Sequence, residues 1–267
     1  MPDIFTTFDP HRFHTTVPFY ARYRLAYPQA LIARVIAITG LRPGDPVLDL
    51  GSGPGLLAVP FAKAGMRVTA MDPERAMLEA AMEAASEAGV DLDLRLGSSY
   101  DLSEDLAPLK LVTMGRSFHW MDRAQTALRL DELVAPGGAL ALFADKHLRT
   151  AENRWHRTLD EIGERYATVS PHRAARENQE YRSHESILLD SPFGVLESAG
   201  EIVQRVVTED EIVGLAFSRS DTASQKLGER AGAFEAELRG ALAALSPDGR
   251  HREIAEMRAL IARRPNE

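Results

Sequence analysis

Three stretches of this chain carry groups that could do chemistry. The first is Asp49-Leu50-Gly51-Ser52-Gly53-Pro54-Gly55, whose three glycines follow a short apolar run, Val47, Leu48 and Leu50. Glycines at such a turn let the backbone approach a ligand where any side chain would stand in the way. A helix starting beyond them turns its unpaired N–H groups toward whatever the loop holds. The second is Asp72, which ends the next apolar run 21 residues after Gly51. A carboxylate there can accept hydrogen bonds from both hydroxyls of an adenosine ribose. The third is Arg116-Ser117-Phe118-His119-Trp120-Met121-Asp122. His119 is the side chain in it that titrates near neutral pH, which makes it the candidate general base. The same histidine could instead bond a backbone group and shape a pocket beside Trp120.

These residues need elements to hold them. Val47–Leu50 reads as a strand buried on both faces of a parallel sheet, with a helix through Leu56, Leu57, Val59 and Phe61 that Pro60 bends and Gly65 ends. Pro73 opens a helix carrying Met77, Leu78, Ala81 and Met82, closed by Gly89. Leu92, Leu94 and Leu96 alternate with charged residues, as in a strand near a sheet edge. Leu109–Gly115 is the fourth strand, and the His119 stretch leaves its carboxyl end, where open α/β sheets bind ligands. Asp122 with Gln125 makes a capping box for the helix that follows. Ala139–Ala144 is a further strand. Trp155, Leu159, Ile162 and Tyr166 form a helical stripe that Pro171 ends. The remainder reads as a strand ending at Val207, a short helix capped by Thr208, a longer one over 221–245, and a final stretch, Glu256–Arg263, that fits either period.

Composition bounds the function. The 267 residues suffice for one α/β domain, and 45% apolar with 26% charged residues is ordinary for a globular protein. With no cysteine there are no disulfides, thiolate metal sites or thiolate nucleophiles. A net charge of −8 repels a phosphate backbone, so nucleic acid is a poor expectation as partner. No apolar run is long enough for a membrane span, and Met-Pro-Asp-Ile-Phe does not resemble a secretory leader. The expectation is a cytoplasmic protein. The dinucleotide fingerprint wants glycine at its sixth position, where this loop has Leu56, and no Gly-Lys-Ser/Thr follows to make a P-loop.

Taken together, the glycine loop, Asp72 and Leu133-Val134-Ala135-Pro136-Gly137-Gly138 resemble the class I S-adenosylmethionine-dependent methyltransferases. Tyr20-x-x-Tyr23-Arg24-x-x-Tyr27-Pro28 is similar to the segment that precedes the first core helix in the trans-aconitate methyltransferase-like, methyltransferase type 11 branch. The resemblance implies a doubly wound, seven-stranded, mostly parallel sheet with a helical lid insertion, ending in an antiparallel seventh strand. It implies one domain over 1–267, with a cap segment over 1–40, a cofactor core over 41–146, a lid over 147–190 and closing elements over 191–267. S-adenosylmethionine is the implied cofactor, with no metal. Asp49, Gly51, Ser52, Gly53 and Asp72 then belong to its site, with Met77 along the adenine. Ser98 stands where the family has an acid or amide, so the adenine contact passes to the backbone, a water or Ser99. Tyr20 and Arg24 would cover the cofactor, Arg24 facing its carboxylate or an acid on the substrate. The alternative is an amphipathic N-terminal helix whose aromatics only pack. Arg116 would meet the cofactor carboxylate or a substrate anion, and Tyr23, Phe118, Trp120 and Tyr181 the substrate. The basic lid residues His172, Arg173, Arg176, Arg182 and His184 suggest an anion. The expected function is methyl transfer to a small molecule, on oxygen of an acid or natural-product intermediate. The rivals are an NAD(P)-dependent oxidoreductase and a non-catalytic S-adenosylmethionine-binding partner protein.

Overall fold

The computed structural model describes residues 17–166 and 181–265. Two helices, α1 (Val17–Tyr23) and α2 (Gln29–Thr39), lead into β1 (Pro46–Leu50), α3 (Ala58–Lys63), β2 (Arg67–Asp72), α4 (Arg75–Ala88) and β3 (Asp93–Leu96). Then come β4 (Leu109–Gly115), α5 (Arg123–Leu133), β5 (Val134–His147), α6 (Arg154–Tyr166) and α7 (His184–Leu189). The chain closes with β6 (Val195–Thr208), α8 (Glu209–Phe217), α9 (Ser224–Leu227), α10 (Ala231–Leu245) and β7 (Arg250–Arg263). The strands form one seven-stranded sheet in the order β3-β2-β1-β4-β5-β7-β6. β1 to β5 are parallel, and β7 is antiparallel to both β5 and β6. Strand order reverses between β1 and β4, so the crevice beyond their carboxyl ends is the ligand edge of the sheet.

Apolar side chains explain the layers. Leu31, Ile32 and Val35 of α2 and Phe61 of α3 pack with Val47, Leu111 and Met257 on one face. Leu130 and Leu133 of α5 and Leu188 of α7 pack with Leu48, Val112 and Leu260 on the other. A third cluster lies among helices: Trp155, Leu159 and Ile162 of α6 meet Ile212 and Phe217 of α8 and Phe234 and Leu238 of α10. Phe19 and Tyr23 of α1 pack against it.

Several expectations change. The helix after the glycine loop starts at Ala58, so Leu56 and Leu57 precede it. Pro60 is the third residue of α3, within the first turn, where no backbone N–H is needed. Met82 is exposed on α4. The helix expected over 221–245 is broken at Gly228 into α9, a single 3-10 turn and α10. The last stretch is a strand, longer than the period indicated. Pro171, His172, Arg173 and Arg176 lie outside the described residues. Among those described, no helix is long and apolar enough to cross a membrane.

Candidate functional site

The glycine loop is held from both ends. Gly51 and Ser52 both donate their N–H to the Met71 carbonyl, at 2.8 and 3.0 Å. Gly51 has φ +70, and a Cβ on it would fall 2.5 Å from the Ser117 Cβ. The loops leaving β1 and β4 therefore touch at a point that only glycine fits. Ser117 fastens the contact by donating to the Leu50 carbonyl at 2.7 Å. Asp49 braces the far side: it accepts from the Ala58 N–H, the first of α3, at 3.0 Å and from Thr113 Oγ1 at 2.8 Å. It is buried, lines the cleft over the loop, and shapes the loop through these hydrogen bonds.

Asp72, at the carboxyl end of β2, accepts from the Gly53 N–H at 2.8 Å and the Glu74 N–H at 2.9 Å. Burial pushes the Asp49 carboxyl up to about 7 and the Asp72 carboxyl up to about 6, against the hydrogen bonds that each accepts. Tyr20 and the Met77 sulfur both approach Gly53, lying 3.9 and 4.0 Å from where its Cβ would be. Ser98 is buried and bound to Asp101, whose Oδ2 accepts from both its N–H and its Oγ at 2.8 Å. Ser99, beside it, is partly exposed.

A small cleft opens over this loop, lined by Gly51, Ser52 and Gly53 with Tyr20, Tyr27, Asp49 and Arg116 among its walls. Arg116 adopts φ +55. Its Nε is ion-paired with Asp145, its Nη2 donates to the Leu25 carbonyl at 2.9 Å, and its guanidinium lies 4.7 Å over the Tyr27 ring. Burial alone would raise the Asp145 carboxyl, but the Arg116 and Arg24 charges outweigh it and hold it well below the usual carboxylate range. Arg116 is thus engaged by the chain's own carboxylate and carbonyl. Arg24 donates from Nη2 to the Ser218 carbonyl at 3.1 Å and lies 5.0 Å over Tyr20, while its buried Nε has no acceptor. Burial lowers its pKa, with Arg116 adding to the effect and Tyr20 opposing it.

The remaining candidates form a second group. Phe118 is buried and meets His184 edge-on at 5.2 Å, while His119 lies 4.6 Å from the Trp120 ring and 6.3 Å from His184. Buried Arg123 donates to the Arg182 carbonyl at 2.8 Å and stands 5.0 Å from the Tyr181 ring, fixing the segment that carries Tyr181 and His184. Asp122 caps α5 by accepting from the Gln125 N–H. Tyr23 belongs to neither group; its ring lies flat against Gly214 of α8, where a Cβ would collide with it. The sequence reading missed Tyr27 and Asp145. Tyr27 was visible as the last aromatic of the Tyr20–Pro28 pattern. Nothing in the sequence pairs Asp145 with Arg116, 29 positions earlier. It missed also the His147–Glu253 pair at 2.7 Å, which carries no local motif.

The strand order and the glycine loop at the switch point define a Rossmann-like methyltransferase fold. Residues 47–138 match the family described as "Methyltransferase domain". The chain is 36% identical over 127 residues to a ubiquinone biosynthesis O-methyltransferase of Methylocella silvestris, covering 44% of this chain and 50% of that one. The chain spans about half the length of the curated relatives it matches. Among solved structures, a type II methyltransferase assigned by inference in Anaeromyxobacter dehalogenans aligns with TM-score 0.63 and 19% identity, over 91% of this chain and 98% of that one. A methyltransferase from Thiobacillus denitrificans, solved with S-adenosylhomocysteine, aligns with TM-score 0.53 and 19% identity, over 96% and 99%. These matches bear on the class I family and not on its trans-aconitate branch.

Proposed function

We propose that this protein transfers a methyl group from S-adenosylmethionine to an oxygen of a small molecule, an acid or a natural-product intermediate. The observation that carries the reading is the cavity over Gly51–Gly53, walled by Tyr20 and Arg116 with Asp72 beside it. The residues fit the cofactor. Gly51 and Gly53 leave room for backbone contact, and each Asp72 oxygen keeps a lone pair for a ribose hydroxyl beyond the N–H it already accepts. Arg24 has an unused buried N–H for a carboxylate. The cofactor, when bound, supplies an already activated methyl group. What this chain adds is alignment and exclusion of water, which can provide most of the acceleration without a covalent intermediate. In this reading Phe118, His119, Trp120 and Tyr181 wall the acceptor side, and residues 147–190 form the lid. The name of the Methylocella relative supports oxygen as acceptor.

Isothermal titration with S-adenosylhomocysteine, with NADH in parallel, tests the cofactor. Binding in the micromolar range is expected, weakened about tenfold or more by Asp72→Ala, with a thermal melt to confirm that the variant is folded. NADH binding without thioether binding would overturn the reading in favour of an oxidoreductase.

A further inference from the structure

The two edges of the sheet are unlike. β3 is four residues long, and its charges are tied to neighbours, Arg95 to Asp93 and Asp105. Short, charged strands of this kind resist pairing with another chain. The opposite edge, β6, is 14 residues long, has no proline, and pairs with β7 in one uninterrupted register from Val195 to Thr208. At about 3.3 Å per residue this is an edge of roughly 46 Å. Among the described residues no strand pairs with its outer side. Its apolar side chains Ile202 and Val206 are 60% and 49% exposed.

Gly200 shows which backbone groups face outward. Its carbonyl accepts from Arg34 Nη1 at 2.8 Å, although Gly200 lies opposite Arg258 of β7. In an antiparallel ladder alternate residues turn both polar groups away from their partner strand, so Gly200, Ile202, Gln204 and Val206 present theirs outward.

We propose that the β6 edge pairs antiparallel with β6 of a second copy of this chain, about a two-fold axis at Val203. This register sets Ile202 against Gln204 of the second copy and Val206 against Gly200, so outward-facing residues meet outward-facing residues, and Arg34 must yield or share the Gly200 carbonyl with the Val206 N–H of the second copy. On one face Ile202 becomes a diagonal neighbour of Ile202 and of Val206 of the second copy, forming one apolar strip. On the other, Glu201 of each copy faces Arg205 of the other. Arg205 already binds Glu253 and Glu211 of its own chain, yet keeps 39% of its side chain exposed and has donors to spare. Shifting the axis to Ile202 or Gln204 sets Glu201 against Val203 or Val207 and loses the charge match. The self-complementary contact is what a closed two-fold dimer requires, and it makes a continuous sheet through both subunits.

The test uses the full chain. Sedimentation velocity up to about 100 µM protomer should show a concentration-dependent species of about 59 kDa, twice the 29.4 kDa chain. Ile202→Lys/Val206→Lys, both at exposed positions, should return it to monomer with an unchanged melting temperature at low concentration. Because the chain has no cysteine, Val203→Cys offers a second readout. Directly opposed residues on a two-fold axis fall within disulfide reach, so mild oxidation should link it into a dimer, and Ile202→Cys should link poorly. A wild-type monomer throughout, a dimer that survives the lysine variant, or linking at 202 in preference to 203 would each overturn the proposal. None of these outcomes depends on the cofactor or the reaction.

Discussion

Asp49 and Asp72 flank the same glycine loop, Asp49 lining the cavity over it and Asp72 bonded to its Gly53 N–H. Both carboxyls share an electrostatic consequence. Burial raises them from an ordinary 3.8 to about 7 and about 6, so the folded chain binds these protons more tightly than the unfolded one. Their contribution to stability is fully present below 3.8 and is lost as pH rises through the folded values. Asp145, depressed by Arg116, has the opposite sign: its contribution is present above 3.8 and disappears as pH falls below it. The two windows therefore separate. Asp49→Asn keeps a hydrogen-bonding amide between Ala58 and Thr113 and removes the raised carboxyl. Its melting temperature should decline less than that of the wild type between about pH 4 and about pH 7. Equal slopes by scanning calorimetry would show that Asp49 is not the titrating group.

At the scale of elements, α1 is locked to α8 through Tyr23 lying on Gly214. Gly214→Ala should destabilise the fold by about 1–3 kcal/mol in urea unfolding, because the methyl group must displace the ring. Adding Tyr23→Ala should recover the part of that loss due to collision. A purely additive double variant would mean that the two residues do not press on each other. The pairing also shows where legibility stopped. Leu109–Gly115 was readable to the residue because an apolar run ended in glycine. α3 was not, since Leu56 and Leu57 keep the apolar pattern going through a turn that helix geometry does not include. Tyr23 read as a pocket residue from its neighbours in sequence, and only the approach of Gly214, 191 positions on, reveals its packing role.

For the whole molecule, strand types, sheet size and the antiparallel last strand followed from the glycine loop and the family resemblance. Arg116 shows why the site followed less fully. Its type announced an anion; it pairs with Asp145 of the same chain while also lining the cavity. Sequence spacing carries no signal for such a tie, because the fold, not the local chain, brings its ends together.

That tie reaches beyond charge. Arg116 fastens β4 to the Leu25 carbonyl and to Asp145 of β5, while Arg24 fastens the same N-terminal segment to Ser218. Tyr20 and Tyr27, which wall the cavity, are carried on that segment. In the proposed reaction the segment must lift for the spent thioether to leave, so turnover is expected to be gated by these latches. Arg116→Lys, which cannot span both partners in the same planar geometry, should speed S-adenosylhomocysteine dissociation about tenfold in stopped flow, and an unaltered off-rate would rule the latch out. The residue read as meeting the cofactor carboxylate or a substrate anion would then also act as a clock, setting how long each occupant stays.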